Sequence, residues 1–172
     1  QRQMCIRDRA GRAFCAGMDL NIDGNVFGLN EELKPTIEDM RERSEDEEII
    51  RGVRDAGGRV VLAMYECKKP IIGAINGAAV GIGATMTCAM DIRLASQKAK
   101  VGFVFNKIGI TPEACSSWFL PKLVGLSTAL EWCYTAEIRD SDTLKDARFI
   151  KEICEPKNLL SKANLIDKKI IN

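Results

Sequence analysis

The side chains that could carry acid–base chemistry in this protein are limited by the absence of histidine from its 172 residues. This absence removes Ser-His and Cys-His nucleophile pairs, histidine metal sites and the commonest general base. Proton transfer must therefore fall to carboxylates, lysine, tyrosine or cysteine. The seven cysteines are scattered, odd in number and without paired metal-ligand spacing, which predicts reduced, buried thiols and no metal site.

A second source of chemistry is the backbone of residues 69–91, where closely spaced glycines interrupt an apolar run. The order of residues predicts a buried strand over Ile71–Ile75, a turn at Asn76-Gly77, a loop, and a helix from about Ile82. The first amides of a helix lack internal partners and lie at the positive end of its dipole. The junction is therefore suited to binding a negatively charged oxygen.

Three other interpretations of this glycine-rich run compete with anion binding. The glycines could serve close packing alone. Residues 70–90 are uncharged and repeat glycine at 73, 77 and 81, as in membrane helices that pair, although Asn76-Gly77 would then lie inside the span. The third interpretation is a nucleotide-binding loop, and neither of its patterns is complete. In the dinucleotide pattern Gly-x-Gly-x-x-Gly, Met86 stands where the third glycine belongs, and the Gly-Lys-Ser/Thr of a phosphate-binding loop does not occur.

Length and composition predict one globular domain. With 46% apolar residues and a net charge of +1, the chain can bury a core and has no general attraction for nucleic acid or membranes. We see no signal peptide, so we expect a cytoplasmic protein if the source is bacterial and an organellar matrix protein otherwise.

Predicted strands alternate with predicted helices along the chain, and this alternation indicates an α/β fold that must hold the candidate site residues in place. Besides the run above, we predict strands over 92–96 and 101–105 and a loop over 107–116. Gly57-Gly58 is expected to break a charged region. Helical segments are predicted over 36–54, 59–67, 118–123, 127–136, around 144–147 and over 158–171, with a hydrophobic segment over 149–153.

Several motifs follow one another in order: Gly11-Arg-Ala-Phe-Cys-Ala-Gly-Met-Asp-Leu20, Lys69-Pro-Ile-Ile-Gly-Ala-Ile-Asn-Gly-Ala-Ala-Val-Gly-Ile-Gly83 and Met90-Asp-Ile-Arg-Leu-Ala-Ser96. Gly102-Phe-Val-Phe, residues 109–125 and Ala129-Leu-Glu-Trp continue the series. Together they resemble the crotonase, or enoyl-CoA hydratase/isomerase, family over most of residues 10–165. The resemblance implies an α/β fold built as a crotonase-like spiral of β-β-α units.

The same resemblance implies the organisation and partners of the protein. Its substrate would be an acyl-CoA thioester that carries coenzyme A itself, with no separate cofactor, and the full-length protein would form homotrimers or dimers of trimers. We expect residues 1–9 to be a non-native or truncated leader and residues 10–140 to form an N-terminally truncated crotonase-like core. Residues 141–172 would form a C-terminal helical, trimer-forming segment that need not be complete.

The resemblance further implies an oxyanion hole made of two backbone amides. These would be the amides of Met18 and Ile82, and they would stabilise the negative oxygen of a thioester enolate more than the neutral carbonyl. The neighbouring residues expected to bind substrate are Ala16, Gly17, Asp19, Gly81 and Gly83. Asp19 could instead fix the turn or cap a helix.

The acid–base residue implied by the resemblance is Glu113. Typical hydratases of the family use two glutamates, whose positions here correspond to Thr85 and Phe105. Thr111-Pro-Glu-Ala-Cys-Ser-Ser117 is similar to the loop of peroxisomal-type Δ3-Δ2-enoyl-CoA isomerases, in which one glutamate is the base. Apolar neighbours are expected to raise the pKa of Glu113 toward neutrality, whereas the alternative is an exposed glutamate that caps the next helix.

These residues favour an enoyl-CoA isomerase of fatty-acid oxidation. An enoyl-CoA hydratase, or another acyl-CoA transformation of the same family, is the nearest alternative. A catalytically inactive acyl-CoA-binding or scaffold protein is the alternative from another class.

Overall fold

The computed structural model describes residues 5–21 and 23–171, which form two four-stranded sheets with helices between and around them. The strands are β1 (Cys5–Arg7), β2 (Ala13–Cys15), β3 (Ile71–Ile75), β4 (Ala78–Val80), β5 (Ile92–Ser96), β6 (Lys100–Gly102), β7 (Ile138–Asp140) and β8 (Glu152–Cys154). The helices are α1 (Ile37–Glu42), α2 (Glu47–Val53), α3 (Ala56–Glu66), α4 (Ile82–Thr85), α5 (Ser116–Val124), α6 (Leu126–Thr135), α7 (Ser141–Asp146) and α8 (Leu159–Ile171). Short 3-10 turns cover Met86–Ala89, Phe105–Ile108 and Pro156–Asn158.

The two sheets are built by successive pairs of strands. The first sheet has the parallel order β1-β3-β5-β8, and the second has the order β2-β4-β6-β7, in which only the β6–β7 pair is antiparallel. Each of the pairs β1/β2, β3/β4 and β5/β6 gives one strand to each sheet and is followed by helical segments. This arrangement confirms the predicted α/β spiral of β-β-α units.

Strand β3 lies at the centre of the packing. All five of its residues are buried: Ile71 and Ile75 belong to the main core, whereas Ile72 and Ala74 belong to a second cluster that also contains Leu159 of α8. Parallel strands covered on both faces appear in sequence as continuous apolar runs. The apolar run over 71–75 therefore predicted this strand correctly.

The segment after β3 differs from the expected loop and continuous helix. Ala78–Val80 forms β4, which pairs with β2 and β6, and the helix that follows is the single turn α4, succeeded by a 3-10 turn over Met86–Ala89. The pairing of β4 depends on strands distant in sequence, which local patterning does not reveal. Residues 70–90 thus contain two strands and no long helix. Nowhere in the described ranges is a helix long and apolar enough to cross a membrane.

The charged region over 36–54 forms two helices rather than one. Thr36 begins α1 with a reciprocal capping box to Asp39, and Asp46 begins α2 by accepting a hydrogen bond from the Glu48 amide. Each cap satisfies amides that a helix start leaves unpaired, so it favours a new helix at that point.

The expected break at Gly57-Gly58 lies within the first turn of α3. Asp55 caps this helix, because its side chain accepts a hydrogen bond of 2.7 Å from the Gly58 amide. Both glycines are buried, and tertiary packing with this cap outweighs the low helix propensity of glycine.

Both ends of the described chain join the first sheet. We expected residues 1–9 to be a leader, but residues 5–7 form β1, which pairs with β3. Their sequence has no strand pattern. Residues 1–4 lie outside the described residues. Within the expected helical segment 141–172, Glu152–Cys154 forms β8 beside β5, and α8 packs against β3 and β5.

Buried Arg93 connects three parts of the main chain. Its Nε donates a hydrogen bond of 2.7 Å to the carbonyl of Phe149, and its Nη1 donates to the carbonyls of Thr87, at 3.2 Å, and Met90. The guanidinium therefore joins β5 to the turn after α4 and to the segment that leads into β8.

Candidate active site

A cavity of about 130 Å³ lies between the turn that follows β2 and the junction of β4 with α4. Six of the residues predicted for the site line it: Ala16, Gly17, Met18, Gly81, Ile82 and Glu113. The remaining lining is apolar and consists of Leu20, Phe27, Val80, Val104, Phe105, Ile108 and Ile110. Two loops far apart in sequence and one carboxyl group thus meet around an apolar space.

Asp19 and Gly83, also predicted to bind substrate, do not line this cavity. Asp19 is exposed and accepts a hydrogen bond of 2.9 Å from the Asn21 amide, so it fixes the turn, as the alternative prediction stated. Gly83 is buried, and a Cβ atom on it would lie 2.0 Å from the carbonyl oxygen of Cys15. Gly83 therefore permits close packing of α4 against β2.

The other glycines divide between packing and backbone conformation. A Cβ atom on Gly77 would lie 2.0 Å from the carbonyl oxygen of Arg12, so this glycine also permits close packing. Gly17 and Gly81 instead adopt φ values of +124° and +55°, which favour glycine. A Cβ atom on Gly81 would lie 3.9 Å from the Cα of Gly17, so the two turns that carry the predicted amides are in contact.

The backbone amides of Met18 and Ile82 directly follow these two glycines. Neither N–H donates a hydrogen bond to any residue that the structure describes. Because α4 has only four residues, we attribute little anion binding to a helix dipole and more to the N–H groups themselves. Two unpaired donors beside an apolar cavity are suited to a carbonyl oxygen that becomes negative.

Glu113 provides the carboxyl group of the cavity. Its Oε1 accepts a hydrogen bond of 3.0 Å from the Thr85 hydroxyl, and its Oε2 is buried without a hydrogen-bond partner among the described residues. A Cβ atom on Gly57 of α3 would lie 2.9 Å from Oε2. The carboxyl group thus lies between the start of α3 and the end of α4 rather than in solvent.

The loop that carries Glu113 has an unusual backbone conformation. Ala114 and Cys115, neither of them glycine, have φ values of +50° and +56°. Cys115 occupies the N-terminal cap position of α5, and the Ser116 hydroxyl donates a hydrogen bond of 2.6 Å to the Glu113 carbonyl. The Glu113 side chain therefore does not cap α5, which contradicts the alternative interpretation of this glutamate.

The environment changes the acidity of Glu113 in the expected direction. Burial raises the pKa of Glu113 from 4.5 to about 7; the hydrogen bond from Thr85 opposes this rise, and the nearby carboxylate of Asp55 adds to it. A carboxyl group with a pKa near 7 is present in both protonation states at neutral pH. It can therefore accept a proton and return it.

The two positions that correspond to hydratase glutamates carry other chemistry. Thr85 is fully buried and donates to Glu113, whereas Phe105 is buried and forms part of the apolar wall. Of the described residues that line the cavity, Glu113 alone has an ionisable side chain.

Sequence reasoning missed the contribution of α3. Gly57 allows the start of α3 to approach Glu113, and Asp55 acts on its pKa. An aspartate before an apolar helical segment is a recognisable cap signal, but its proximity to Glu113 depends on the tertiary fold. No local sequence pattern identified Leu20 and Phe27 as residues of the cavity wall either.

Comparisons with known proteins show which family this chain resembles. The model of the family described as enoyl-CoA hydratase/isomerase matches residues 4–172. An enoyl-CoA hydratase of Alternaria alternata is 47% identical over 133 residues, which cover 77% of this chain and 38% of that protein. A 1,2-epoxyphenylacetyl-CoA isomerase of Escherichia coli (strain K12) is 32% identical over 154 residues, which cover 80% of this chain and 52% of that protein.

A solved structure is similar over nearly the whole chain. The crystal structure of a probable enoyl-CoA hydratase/isomerase from Mycobacterium abscessus matches with a TM-score of 0.75 and 25% identity, and the match covers 98% of this chain and 58% of that chain. The present chain spans between 38% and 52% of the length of the two curated relatives.

Proposed function

Because the chain belongs to the enoyl-CoA hydratase/isomerase family, we propose that it acts on an acyl-CoA thioester as an enoyl-CoA isomerase that moves a carbon–carbon double bond. Glu113 acts as the proton shuttle, and the amides of Met18 and Ile82 bind the thioester oxygen. The substrate carries coenzyme A itself. Trimer formation and a place in fatty-acid oxidation remain predictions from the family resemblance.

The proposed reaction requires one base and one site for negative charge. Ionised Glu113 removes a proton from C2 of a 3-enoyl thioester, and the electrons move onto the thioester oxygen to form an enolate. The two amides stabilise this oxygen more strongly in the enolate than in the neutral carbonyl. Protonated Glu113 then returns the proton to C4, which leaves the double bond between C2 and C3.

The observation that carries the proposal is the single carboxyl group in an otherwise apolar cavity, with its pKa raised to about 7. A proton shuttle must bind and release the same proton, and a pKa near the working pH favours both steps. One carboxyl group suffices for such a shuttle, because it removes a proton and returns it.

Hydration is the second candidate function, because the Alternaria alternata relative is called an enoyl-CoA hydratase. A hydratase must hold a water molecule, deprotonate it and protonate the α-carbon. Thr85 and Phe105 occupy the positions of the two glutamates that family hydratases use, and neither side chain transfers protons as a carboxylate does. This difference favours isomerisation.

Incubation with 3-enoyl-CoA and, separately, with 2-enoyl-CoA distinguishes the two functions. We expect the first substrate to be converted into 2-enoyl-CoA and the second to remain largely unhydrated, as measured by chromatography of the CoA esters. In Glu113→Gln, isomerisation should be lost while binding of the CoA ester is kept. Hydration of 2-enoyl-CoA without any double-bond shift would contradict the proposal.

A further inference from the structure

The Thr85 hydroxyl has two acceptors within reach but only one proton. Thr85 is fully buried, and its Oγ1 lies 3.0 Å from Oε1 of Glu113 and 3.3 Å from the carbonyl oxygen of Gly81. A buried hydroxyl without a partner is costly, so one of these bonds is made at all times. An ionised acceptor forms the stronger bond, which favours Glu113 while that residue is charged.

The backbone of Thr85 is hydrogen-bonded to the turn that precedes Ile82, on the other side of the site from Glu113. Its amide donates a hydrogen bond of 3.0 Å to the carbonyl of Gly81, the residue directly before Ile82. One residue is therefore bonded both to the proposed base and to the turn that carries a proposed oxyanion donor. Thr85 thus connects the Glu113 carboxyl group to the turn that precedes the Ile82 amide.

No other described group offers a hydrogen bond to the Glu113 carboxyl group, since its Oε2 has no partner within the described ranges. Apart from packing against the start of α3, the orientation of the carboxyl group thus rests on the Thr85 hydroxyl. A carboxyl group that exchanges a proton between two carbons must keep its orientation throughout the reaction.

We propose that Thr85 is a positioning residue whose hydroxyl orients the Glu113 carboxyl group toward its reaction partner and stabilises the carboxylate form. When Glu113 takes up a proton on its other oxygen, Oε1 still accepts a weaker hydrogen bond from this hydroxyl, so the carboxyl group keeps its orientation for the return of the proton. The role in turnover rests on the proposed function of Glu113. The hydrogen bond itself does not.

Other titratable groups also act on or near Glu113. Asp55 at the start of α3 raises the pKa of Glu113, and the thiols of Cys88 and Cys115 have their own pKa values raised by burial, with Glu113 among the lesser causes. Both substitutions below leave these groups in place. A change in Glu113 acidity that follows the hydroxyl can therefore be assigned to Thr85.

The test compares Thr85→Val, which removes the hydroxyl at similar volume, with Thr85→Ser, which keeps it. Two quantities are measured: kcat for isomerisation as a function of pH, and titration of the Glu113 carboxyl carbon by 13C NMR, with Glu113→Gln to assign its signal. Because a hydrogen bond to a charged group is lost, we expect Thr85→Val to lower kcat about tenfold or more. The pKa of Glu113 should rise in both measurements, KM should change little, and Thr85→Ser should restore the wild-type values.

The outcomes separate the two proposals. If Thr85→Val titrates and turns over like the wild type while Glu113→Gln is inactive, the positioning role is wrong and the proposed function stands. If Glu113→Gln keeps full isomerisation, the proposed function is wrong, and the NMR titration still decides whether Thr85 controls the carboxyl group. If Thr85→Val does not fold, Thr85→Ala replaces it, and equal Glu113 titration in the alanine and serine variants would overturn the inference.

Discussion

Met18 and Ile82 are proposed to act through main-chain N–H groups, so their side chains matter less than their backbones. Both amides follow glycines with positive φ values and border the same cavity. Substitutions that keep the N–H should therefore differ from those that remove it.

For both positions we expect alanine to be mild and proline to be severe. Proline lacks the N–H donor, and loss of one oxyanion donor typically lowers kcat by about 100- to 1,000-fold. Ile82 is the first residue of α4, where proline is compatible with the helix, which makes Ile82→Pro the cleaner test. Steady-state kinetics on variants shown to be folded by circular dichroism would measure this; equal losses in the alanine and proline variants would refute the assignment.

Glu113 also leads to a prediction about pH dependence. The base must be ionised in the free enzyme, and its pKa is raised to about 7. The value of kcat/KM should therefore be constant above this pH and fall about tenfold for each unit below it. Measurements between about pH 5 and pH 9, with recovery of activity after return to neutral pH as the control, would test this. A profile that stays flat down to about pH 5 would contradict the raised pKa.

At the scale of elements, the site depends on the close approach of β2 to the segment from β4 to α4. Gly77 and Gly83 permit this approach, because a side chain at either position would overlap a main-chain carbonyl. Gly83, predicted from the resemblance to bind substrate, thus has a packing role in the fold, and this role can be tested by its effect on stability.

Gly83→Ala should reduce stability by at least about 2 kcal/mol, because its Cβ would lie 2.0 Å from the Cys15 carbonyl and force the backbone apart. The matched control is Gly58→Ala, a buried glycine in the first turn of α3, whose nearest new contact is the Asp55 side chain at 3.1 Å. Urea unfolding would measure both free energies. Comparable stability of the two variants would exclude the packing role of Gly83.

At the scale of the whole molecule, Arg93 joins the first sheet to segments before and after it in the chain. The three carbonyl groups that it satisfies belong to Thr87, Met90 and Phe149, and the guanidinium also lies over the Phe149 ring. Its contribution should concern folding rather than chemistry, since it does not line the cavity.

We therefore expect Arg93→Met to lower the free energy of unfolding by about 3 kcal/mol, because buried carbonyls lose their donor. Arg51→Met is the matched control: its side chain is 68% exposed and forms a surface ion pair with Glu47, so the loss should be within about 1 kcal/mol. Thermal and urea unfolding would provide both values. A change in Arg93→Met no larger than in the control would show that the connection is unimportant for stability.

Much of the fold could be predicted because its signals are local. Apolar runs predict strands β3 and β5, and helical spacing predicts helices α5, α6 and α8. Strands β1, β4 and β8 have three residues each, and they exist because distant strands provide hydrogen-bond partners. Such short segments carry too little pattern to be recognised alone.

The sequence by itself determined that these 172 residues contain no histidine, that glycines lie where two turns need them, and that motifs of one family stand in order. Only the tertiary structure decided that Thr85 donates to Glu113, 28 positions away, and that α3 buries the carboxyl group. Burial and hydrogen bonding depend on distances between residues far apart in the chain. The raised pKa of Glu113 and its restraint by Thr85 are therefore properties of the folded protein.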